Sequence, residues 1–278
     1  MQNAQDITQH YARGQDLLAR LKAALLADGT DPDRPTLDAL APYDQFHGRG
    51  MEATLEIAAL MEADASHHLL DVGSGIGGPA RFFADRIGCR VTGIDLTPEF
   101  CDLATHLTRL TGLEDRVRFQ EGNALSMPFA DGCFDGAYSM NVSMNIAEKA
   151  GLYSEIRRVL KPGGWLILSE LARGDGGTLQ YPTPWAASEA ASFLSSPAET
   201  RQGLAEAGFD VMLLRSTRDA TLEFGARSRA MAERGEKPPH RSVMLIHQDL
   251  AKVAMANTAR GVAEGAIEPI EILARKRD

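Results

Sequence analysis

Short apolar runs alternate with amphipathic stretches through the middle of the chain, beginning at His67. The runs predict five β-strands, at residues 67–72, 90–95, 116–121, 134–139 and 164–170. Apolar residues at three- and four-residue spacing predict helices between these strands, at roughly 77–87, 98–111 and 148–160. This alternation favours a parallel sheet whose strands are joined by crossover helices.

Two later apolar runs, at residues 209–215 and 266–274, predict two further strands and bring the sheet to seven. Two segments in this part of the chain do not follow the alternation. They cover residues 172–196 and 217–264, and we interpret both as insertions. The fold class that follows is α/β, with helices packed on a mostly parallel sheet.

Two helices are predicted ahead of the first strand. Residues 4–27 carry apolar side chains at approximately three- and four-residue spacing, and Asp28-Gly29 ends the pattern. A second helical pattern runs from Met51 to Met61. We therefore divide the chain into an N-terminal helical segment at residues 1–64 and a sheet-forming domain at residues 65–278.

The net charge of the chain disfavours two classes of binding partner. Lys and Arg number 29 against 38 Asp and Glu, which gives a net charge of −9. A chain of this sign is repelled by a phosphate backbone and by an anionic bilayer, so we expect neither nucleic acid nor a membrane as a partner. The N-terminus lacks the basic start and apolar core of a secretory signal, and no apolar run is long enough to span a bilayer. We therefore expect a cytoplasmic protein.

The three cysteines are Cys89, Cys101 and Cys133. They form no C-x-x-C pair and have no histidine at ligand spacing. Unpaired thiols are typical of a reducing compartment, where disulfides are rare. We interpret the cysteines as structural thiols and expect no metal centre.

A glycine-rich turn follows the first predicted strand. It reads Leu70-Asp71-Val72-Gly73-Ser74-Gly75-Ile76-Gly77-Gly78 and leads into a predicted helix. Glycine lets the backbone approach a ligand closely, and the start of the helix directs free N–H groups at that ligand. The spacing fits both the dinucleotide pattern G-x-G-x-x-G and the tighter G-x-G-x-G, so the turn alone indicates a nucleotide-type ligand without choosing between the two.

An acidic residue ends the second predicted strand. Asp95 lies 22 residues after Gly73, about the interval at which doubly wound folds place a carboxylate beside a ribose. A carboxylate at that position can accept hydrogen bonds from both ribose hydroxyls. The turn and Asp95 together predict a site for a cofactor that contains a nucleoside.

Four separated elements carry a resemblance to a known family. They are the Asp71–Gly78 turn, Asp95, the Asn123-Ala124 segment after the third predicted strand, and the Lys161-Pro162-Gly163-Gly164 turn before the fifth. In this order and at these intervals, over about residues 45–215, the chain resembles the class I S-adenosylmethionine-dependent methyltransferases. The resemblance implies a Rossmann-like seven-stranded sheet with a reversed last strand. It also implies S-adenosylmethionine as the methyl donor and S-adenosylhomocysteine as a product.

The same resemblance implies which residues hold the cofactor. The turn would contact the methionine portion, Asp95 the ribose, Leu96 one face of the adenine, and the segment after the third strand the adenine edge. The full set is Asp71, Gly73, Ser74, Gly75, Gly77, Asp95, Leu96, Asn123, Ala124 and Asn141. Many relatives carry aspartate where this chain has Asn123; an amide keeps a donor and an acceptor but loses the charge.

Candidate acceptor residues come from loops at the carboxyl ends of the strands, where ligands bind in open α/β sheets. Three segments qualify, at residues 43–50, 140–145 and 181–185. From them we expect acceptor contacts by Tyr43, His47, Met144, Tyr181 and Trp185. His47, as a base or positioning group, and Asn141, through its amide, are the catalytic candidates. A capping role for His47, a packing role for Trp185 and a core role for Met144 remain open alternatives.

Gln45-Phe46-His47 and the closing Glu-Ile-Leu-Ala-Arg-Lys strand narrow the resemblance to a bacterial small-molecule branch that includes sarcosine and dimethylglycine N-methyltransferases. That branch implies an N-terminal helical lid, here residues 1–64, and cap insertions at 172–196 and 217–264. Since no convincing catalytic Lys or His–Asp pair follows the fourth strand, we favour nitrogen over oxygen as the acceptor atom. The alternatives are O- or C-methylation of a small metabolite, a nicotinamide-dependent oxidoreductase and a non-catalytic cofactor-binding protein. A homodimer is left open.

Overall fold

The computed structural model describes residues 17–278, so the first part of the predicted 4–27 helix lies outside the described residues. Between residue 17 and the first strand the structure has three helices: α1 (Leu17–Ala27), α2 (Leu37–Asp44) and α3 (Met51–Leu60). The pattern did not predict α2, because it holds Pro42 and follows two further prolines. Its start is nevertheless favourable, since the Thr36 side chain accepts a hydrogen bond from the Ala39 N–H.

Strands and helices then alternate as predicted. The elements are β1 (His68–Val72), α4 (Gly78–Ile87), β2 (Arg90–Asp95), α5 (Pro98–Leu110), β3 (Val117–Glu121), β4 (Phe134–Met140), α6 (Lys149–Val159) and β5 (Leu160–Arg173). The remaining elements are α7 (Pro197–Glu206), β6 (Phe209–Ser216), α8 (Arg218–Glu233), α9 (Ser242–His247), α10 (Ala251–Glu264) and β7 (Ile267–Lys276). All seven predicted strands are present.

The strands form one sheet in the order β3-β2-β1-β4-β5-β7-β6. β7 runs antiparallel to β5 and β6, while the other neighbouring strands pair in parallel. The predicted Rossmann-like α/β sheet with a reversed last strand is therefore confirmed. The strand order changes direction between β1 and β4, and in open α/β sheets ligands bind in the crevice at that switch point.

Both faces of the sheet are covered by helices. Successive residues of β1 are fully buried on opposite faces, because side chains alternate along a strand. Leu70 packs in a core with α6 residues such as Ile156, and Leu69 packs in a second core with Phe83 of α4 and Ile57 of α3. The N-terminal helix α3 is thus part of the main core of the sheet.

The insertions differ in structure. Residues 174–196 contain one short 3₁₀ helix, at Glu189–Ala191, and otherwise run without a helix or strand. Residues 217–264 form the three helices α8, α9 and α10. The pattern also missed α7, although Ser196 and Glu199 form a reciprocal capping box at its start. None of the helices found between residues 17 and 278 combines the length and the apolar character needed to cross a membrane.

The cysteine thiols are free, and Cys89 and Cys101 are buried. Burial raises the pKa of Cys89 to about 11 and that of Cys101 to about 12, so both are protonated at neutral pH and are weak nucleophiles. Within residues 17–278, no three His, Cys, Asp or Glu side chains gather in a way that could hold a metal ion.

Candidate functional site

A cavity of about 1030 Å³ opens at the carboxyl ends of the strands around the switch point. One end is lined by residues that follow β1, β2 and β3, and the other end is lined by α8, α9, α10 and the segment after β5. Ligand pockets in proteins usually have volumes of about 300–1,000 Å³. This cavity is therefore large enough to hold two small molecules side by side.

The glycine-rich turn forms the floor of the first end. Gly73 and Gly75 line the cavity with left-handed backbones, at φ of +74° and +52°. A Cβ on Gly73 would lie 2.3 Å from a methyl group of Val142, so no larger side chain fits without a shift. The Gly73 and Ser74 N–H groups both donate to the carbonyl oxygen of Ile94, which fixes the turn against β2.

Asp95 ends β2 and holds this turn from the other side. Its Oδ2 accepts a hydrogen bond from the Gly75 N–H at 2.8 Å, and its Oδ1 accepts one from the Thr97 N–H at 2.9 Å. The side chain lines the cavity, and burial raises its pKa above the usual value. Each carboxylate oxygen has a second lone pair, so Asp95 can accept further hydrogen bonds from a ligand.

Three of the residues predicted to hold a cofactor belong to this turn or to the end of β1 but do not line the cavity: Asp71, Ser74 and Gly77. Asp71 is buried, and burial raises its pKa to about 8, so its carboxyl group is largely protonated at neutral pH. Asp71 Oδ2 and Ser74 Oγ are buried without a hydrogen-bond partner in the described residues.

Leu96, Asn123 and Ala124 line the cavity beside Asp95. The Asn123 Oδ1 accepts a hydrogen bond from the Leu125 N–H at 2.9 Å, which shapes the turn after β3. Its Nδ2 makes no hydrogen bond to the described part of the chain. Asn123 therefore retains a donor for a ligand.

Asn141 follows β4 with a left-handed backbone, at φ of 58°. Its amide is oriented by its partners, so that Nδ2 donates to the Ser169 carbonyl at 3.2 Å and Oδ1 accepts from the Gly48 N–H at 3.0 Å. The side chain thereby connects the N-terminal segment to the ends of β4 and β5. Asn141 lines the cavity, and its Oδ1 has one further lone pair for a ligand.

His47 lines the cavity beside Asn141 but is 4% exposed. Its Nδ1 lies 3.2 Å from the Gly48 carbonyl oxygen, and its Nε2 lies 3.1 Å from Thr54 Oγ1 and 3.3 Å from Gln45 Oε1. Burial lowers its pKa to about 3. The imidazole is therefore neutral at physiological pH, and both ring nitrogens are engaged by protein groups, which suits a positioning group better than a base.

Two of the remaining predicted acceptor residues, Met144 and Trp185, line the second end of the cavity. The Trp185 Nε1–H donates to Ser192 Oγ at 2.9 Å, which fixes the indole in the segment after β5. Tyr181 is packed against the same apolar cluster but does not line the cavity.

Tyr43 also lies outside the cavity lining. Its hydroxyl donates to Asp28 Oδ2 at 2.7 Å, and the Arg241 guanidinium lies 4.6 Å from the centre of its ring. Tyr43 thus connects α2 to the end of α1 and to the loop between α8 and α9.

Most of the second end consists of residues that the sequence interpretation did not select. On α8, Thr221, Gly225, Ser228 and Ala232 share one helix face and all line the cavity. On α10, Met255, Ala256 and Ala259 do the same. The helical spacing of these residues within the insertion could have identified them from the sequence. Alanine and glycine contribute little to an apolar pattern, however, so the spacing was not recognised.

Glu170 is a buried acid behind this end of the cavity, near the end of β5. Its Oε1 accepts hydrogen bonds from the Val142 and Ser143 N–H groups at 3.3 and 3.2 Å. Burial raises the pKa of the Glu170 carboxyl group to about 7. By accepting the hydrogen bonds from Val142 and Ser143, the Glu170 carboxyl group fixes the turn after β4, which carries Asn141 and Met144.

This raised pKa predicts a pH dependence of stability. Between about pH 5 and pH 7 the unfolded chain has released the Glu170 proton while the folded chain keeps it, so the free energy of unfolding falls as the pH rises. The Glu170→Gln variant lacks this titrating group. We therefore expect its free energy of unfolding to fall less between pH 5 and pH 8 than that of the wild type, by roughly 1–3 kcal/mol. Urea unfolding at each pH measures it. Glu114→Gln, at an exposed glutamate, is the control, and equal pH slopes for wild type and Glu170→Gln would contradict the assignment.

Comparisons with known proteins agree with this architecture. Residues 70–168 match the model of a family described as a methyltransferase domain. The 24-methylenesterol C-methyltransferase 2 of Oryza sativa subsp. japonica is 42% identical over 114 residues, which are 41% of this chain and 31% of that one. This chain thus spans about a third of the length of that curated relative.

Two solved structures share the fold along almost the whole chain. The [4+2]-cyclase SpnF superimposes with a TM-score of 0.68 and 23% identity, covering 99% of this chain and 97% of that one. The geranyl diphosphate C-methyltransferase from Streptomyces coelicolor A3(2) superimposes with a TM-score of 0.70 and 20% identity, covering 99% and 98%. At 23% and 20% sequence identity, these similarities show a shared fold only.

The switch-point cavity, with its glycine turn and its strand-end acid, defines an α/β protein with a nucleoside-type binding site. The family match agrees with such a site: residues 70–168 are similar to the family described as a methyltransferase domain.

Proposed function

We propose that this protein is an S-adenosylmethionine-dependent methyltransferase that acts on a small-molecule acceptor. The observation that carries the proposal is the continuity of one cavity from the Gly73–Gly75 turn and Asp95 to a chamber lined by Met144, Trp185 and the helices of the insertion. A methyl donor at the first end and an acceptor at the second would lie in contact, as direct methyl transfer requires.

The residues at the first end fit the cofactor. The left-handed glycines leave room for a close approach to the backbone, Asp95 can accept hydrogen bonds from ribose hydroxyls, and Asn123 has a free donor for the adenine edge. Leu96 adds an apolar surface for one face of the base. When bound, S-adenosylmethionine supplies an electrophilic methyl group on a sulfonium. The bond from that methyl carbon to sulfur breaks as a lone pair or a π-bond of the acceptor bonds to it.

The protein's contribution to this reaction is alignment and the exclusion of water. Favourable alignment lowers a barrier by up to about 7–11 kcal/mol in intramolecular cases. Asn141 and His47 lie where the two ends of the cavity meet, and the rigid hydrogen bonds of His47 suit it to orient an acceptor. The apolar lining of the second end would displace water from around the reacting atoms.

For the acceptor atom we propose nitrogen. Three histidines of the described residues line the cavity, His47, His240 and His247, and burial lowers the pKa of the first two, so these two are weak bases. A neutral amine needs no base before it attacks, and its surplus proton can leave to water afterwards. Carbon is the second candidate, because the chamber is largely apolar and a curated relative is a sterol C-methyltransferase.

The helices α1 and α2 and the insertion at 217–264 are proposed to cover the acceptor as lid and cap, while α3 packs in the core of the sheet. The Arg241 N–H donates to the Pro42 carbonyl at 2.7 Å, and Asp28 forms ion pairs with Arg241 and Lys237. These contacts join the ends of α1 and α2 to the insertion. They support a lid role for this part of residues 1–64, and the boundary between 64 and 65 stays a prediction.

Calorimetric titration with S-adenosylhomocysteine and with NAD tests the cofactor assignment. We expect binding of the first and none of the second; the reverse result would favour an oxidoreductase. Transfer of a radiolabelled methyl group to a panel of amines, phenols and apolar alkenes then tests the activity. Cofactor binding without transfer to any member of the panel would favour a non-catalytic cofactor-binding protein.

His47→Ala is expected to lower turnover by roughly tenfold while the affinity for S-adenosylhomocysteine changes little, because the ring orients the acceptor and not the cofactor. The ratio kcat/KM measured beside the calorimetric Kd separates the two effects. For the wild type, kcat should not rise through an imidazole pKa near 6.5, because burial lowers the pKa of His47 to about 3. Such a rise, lost in His47→Ala, would instead establish a base.

A further inference from the structure

The charged side chains along the cavity are unevenly distributed. Among residues 17–278, the two acidic residues that line it are Asp95 and Glu148, and both lie outside the insertion at 217–264. The insertion contributes four cations to the lining and no acid: Arg229, Arg241, Lys252 and Arg260. This contrasts with the whole chain, which has a net charge of −9, since the insertion itself holds eight Lys and Arg against six Asp and Glu.

Two of these four cations have partners within the protein. Arg241 pairs with Asp28, and Arg260 donates to Gln180 Oε1 and Asn257 Oδ1 at 2.6 and 2.7 Å. Arg229 and Lys252 are exposed and make no hydrogen bond or ion pair to the part of the chain that the structure describes. These two side chains are therefore free to bind a ligand anion.

Arg229 and Lys252 lie at the same level of an antiparallel helix pair. The start of α8 adjoins the end of α10, because Arg218 Nη2 donates to the Ala263 carbonyl at 2.8 Å, and the two helices pack together. At 1.5 Å per residue, Arg229 lies about 16 Å along α8 from Arg218, and Lys252 lies about 18 Å along α10 from Glu264. Both cations therefore line the end of the cavity that is farthest from β6 and β7.

The lining between these two cations and the strands includes large apolar side chains beside Thr221, Thr258 and Arg260. It includes Leu222 of α8, Met244 of α9 and Met255 of α10, whose exposed fractions are 37%, 42% and 42%. Methionine side chains are flexible and adapt to apolar ligands of irregular shape. Large side chains of this kind are seldom left exposed together unless they contact another molecule.

We propose that the methyl acceptor is an elongated apolar molecule that carries an anionic group, a carboxylate or a phosphate, and that Arg229 and Lys252 bind this group. The apolar body lies along Leu222, Met244 and Met255, and the reacting atom lies toward Met144 and His47. This inference rests on the proposed function, because that function identifies the ligand as the methyl acceptor. The preference for an anion rests only on the charges and the apolar lining.

The test is calorimetric binding of dodecanoate, dodecyl phosphate and dodecan-1-ol to the full chain, below their micellar concentrations, with and without S-adenosylhomocysteine. We expect the two anions to bind at least about tenfold more tightly than the alcohol. In Arg229→Gln/Lys252→Gln the anions should lose about that factor while the alcohol is unaffected. The control is Arg201→Gln, which removes an exposed helical arginine outside the cavity and should change nothing. The anion that binds more tightly, dodecanoate or dodecyl phosphate, shows whether the bound group is a carboxylate or a phosphate.

Equal affinity for the acids and the alcohol, or an equal loss for all three in the double variant, would overturn the proposal. So would a dimer that the anions dissociate, because a second copy of the chain would then be the natural occupant of this surface. Failure of S-adenosylhomocysteine to bind would instead overturn the proposed function, and the anion preference is measured independently of it. A double variant that loses its folded-state circular dichroism is replaced by each single variant.

Discussion

Asp95→Ala is expected to weaken binding of S-adenosylhomocysteine by about a hundredfold. Two losses combine in this variant. The carboxylate no longer accepts hydrogen bonds from the ribose, and each such charge-assisted bond contributes about 1.5–3 kcal/mol. The Gly75 N–H and the Thr97 N–H also lose their acceptor, so the turn that supports the cofactor is less firmly fixed. Titration calorimetry measures the dissociation constant.

A matched control separates the ribose contact from a general charge effect. Asp102→Ala removes an exposed carboxylate from α5, seven residues further along the chain, and should leave the affinity unchanged. Asp95→Asn keeps an acceptor for one backbone N–H and should lose less affinity than Asp95→Ala. If Asp95→Ala binds S-adenosylhomocysteine as tightly as the wild type, Asp95 does not contact the ribose.

The largest expected loss of stability follows from Arg81→Met. Arg81 of α4 is fully buried, and its guanidinium donates to Asp44 Oδ2 at 3.0 Å and to the Ile76 carbonyl at 2.7 Å. Removal of one partner leaves the Asp44 carboxylate buried without its counter-charge, which costs about 3–5 kcal/mol. The free energy of unfolding in urea should fall by about that amount.

Two further variants test the cause. Arg86→Met changes an exposed arginine on the same helix and should cost less than about 0.5 kcal/mol. Asp44→Leu/Arg81→Met removes both charges, and the double variant should regain most of the loss because no unpaired charge stays buried. A double variant as unstable as Arg81→Met would mean that packing, and not the ion pair, determines the effect.

The Arg81–Asp44 pair also explains how the N-terminal helices are fixed to the cofactor site. Asp44 ends α2, and Ile76 belongs to the glycine-rich turn, so one guanidinium bridges the two. We therefore expect Arg81→Met to weaken cofactor binding as well. Nothing in the sequence marks Arg81 for this role, since an arginine in a helix is usually exposed.

The first end of the site was largely predictable from the sequence. Gly73, Gly75, Asp95, Leu96, Asn123, Ala124 and Asn141 all line the cavity, as do His47, Met144 and Trp185. They were found because each lies at a strand end or in a turn, where parallel strands bring their carboxyl ends to one edge. Tyr43 and Tyr181 lie in the right segments but outside the cavity lining, because the side of a loop that faces a ligand is set by its packing. The roles of these residues stay predictions, as do the cytoplasmic location and the homodimer.

The acceptor end was not predictable in this way. Its walls are built from α8, α9 and α10, whose cavity faces are rich in alanine, glycine and methionine and give a weak apolar pattern. Nor does helical spacing tell which face of an inserted helix meets a cavity. Only the packing of α8 against α10, and of α9 against the N-terminal helices, sets that orientation.

The sequence by itself determined the seven strands, the glycine turn and the acid 22 residues after its first glycine, since these depend on local pattern and on the fixed geometry of a parallel sheet. The tertiary structure alone decided that His47 is buried and neutral, that Arg81 pairs with Asp44, and that Arg229 and Lys252 face one cavity. The physical reason is the same in each case. Burial and charge pairing depend on which distant segments pack together, and no local pattern encodes those contacts.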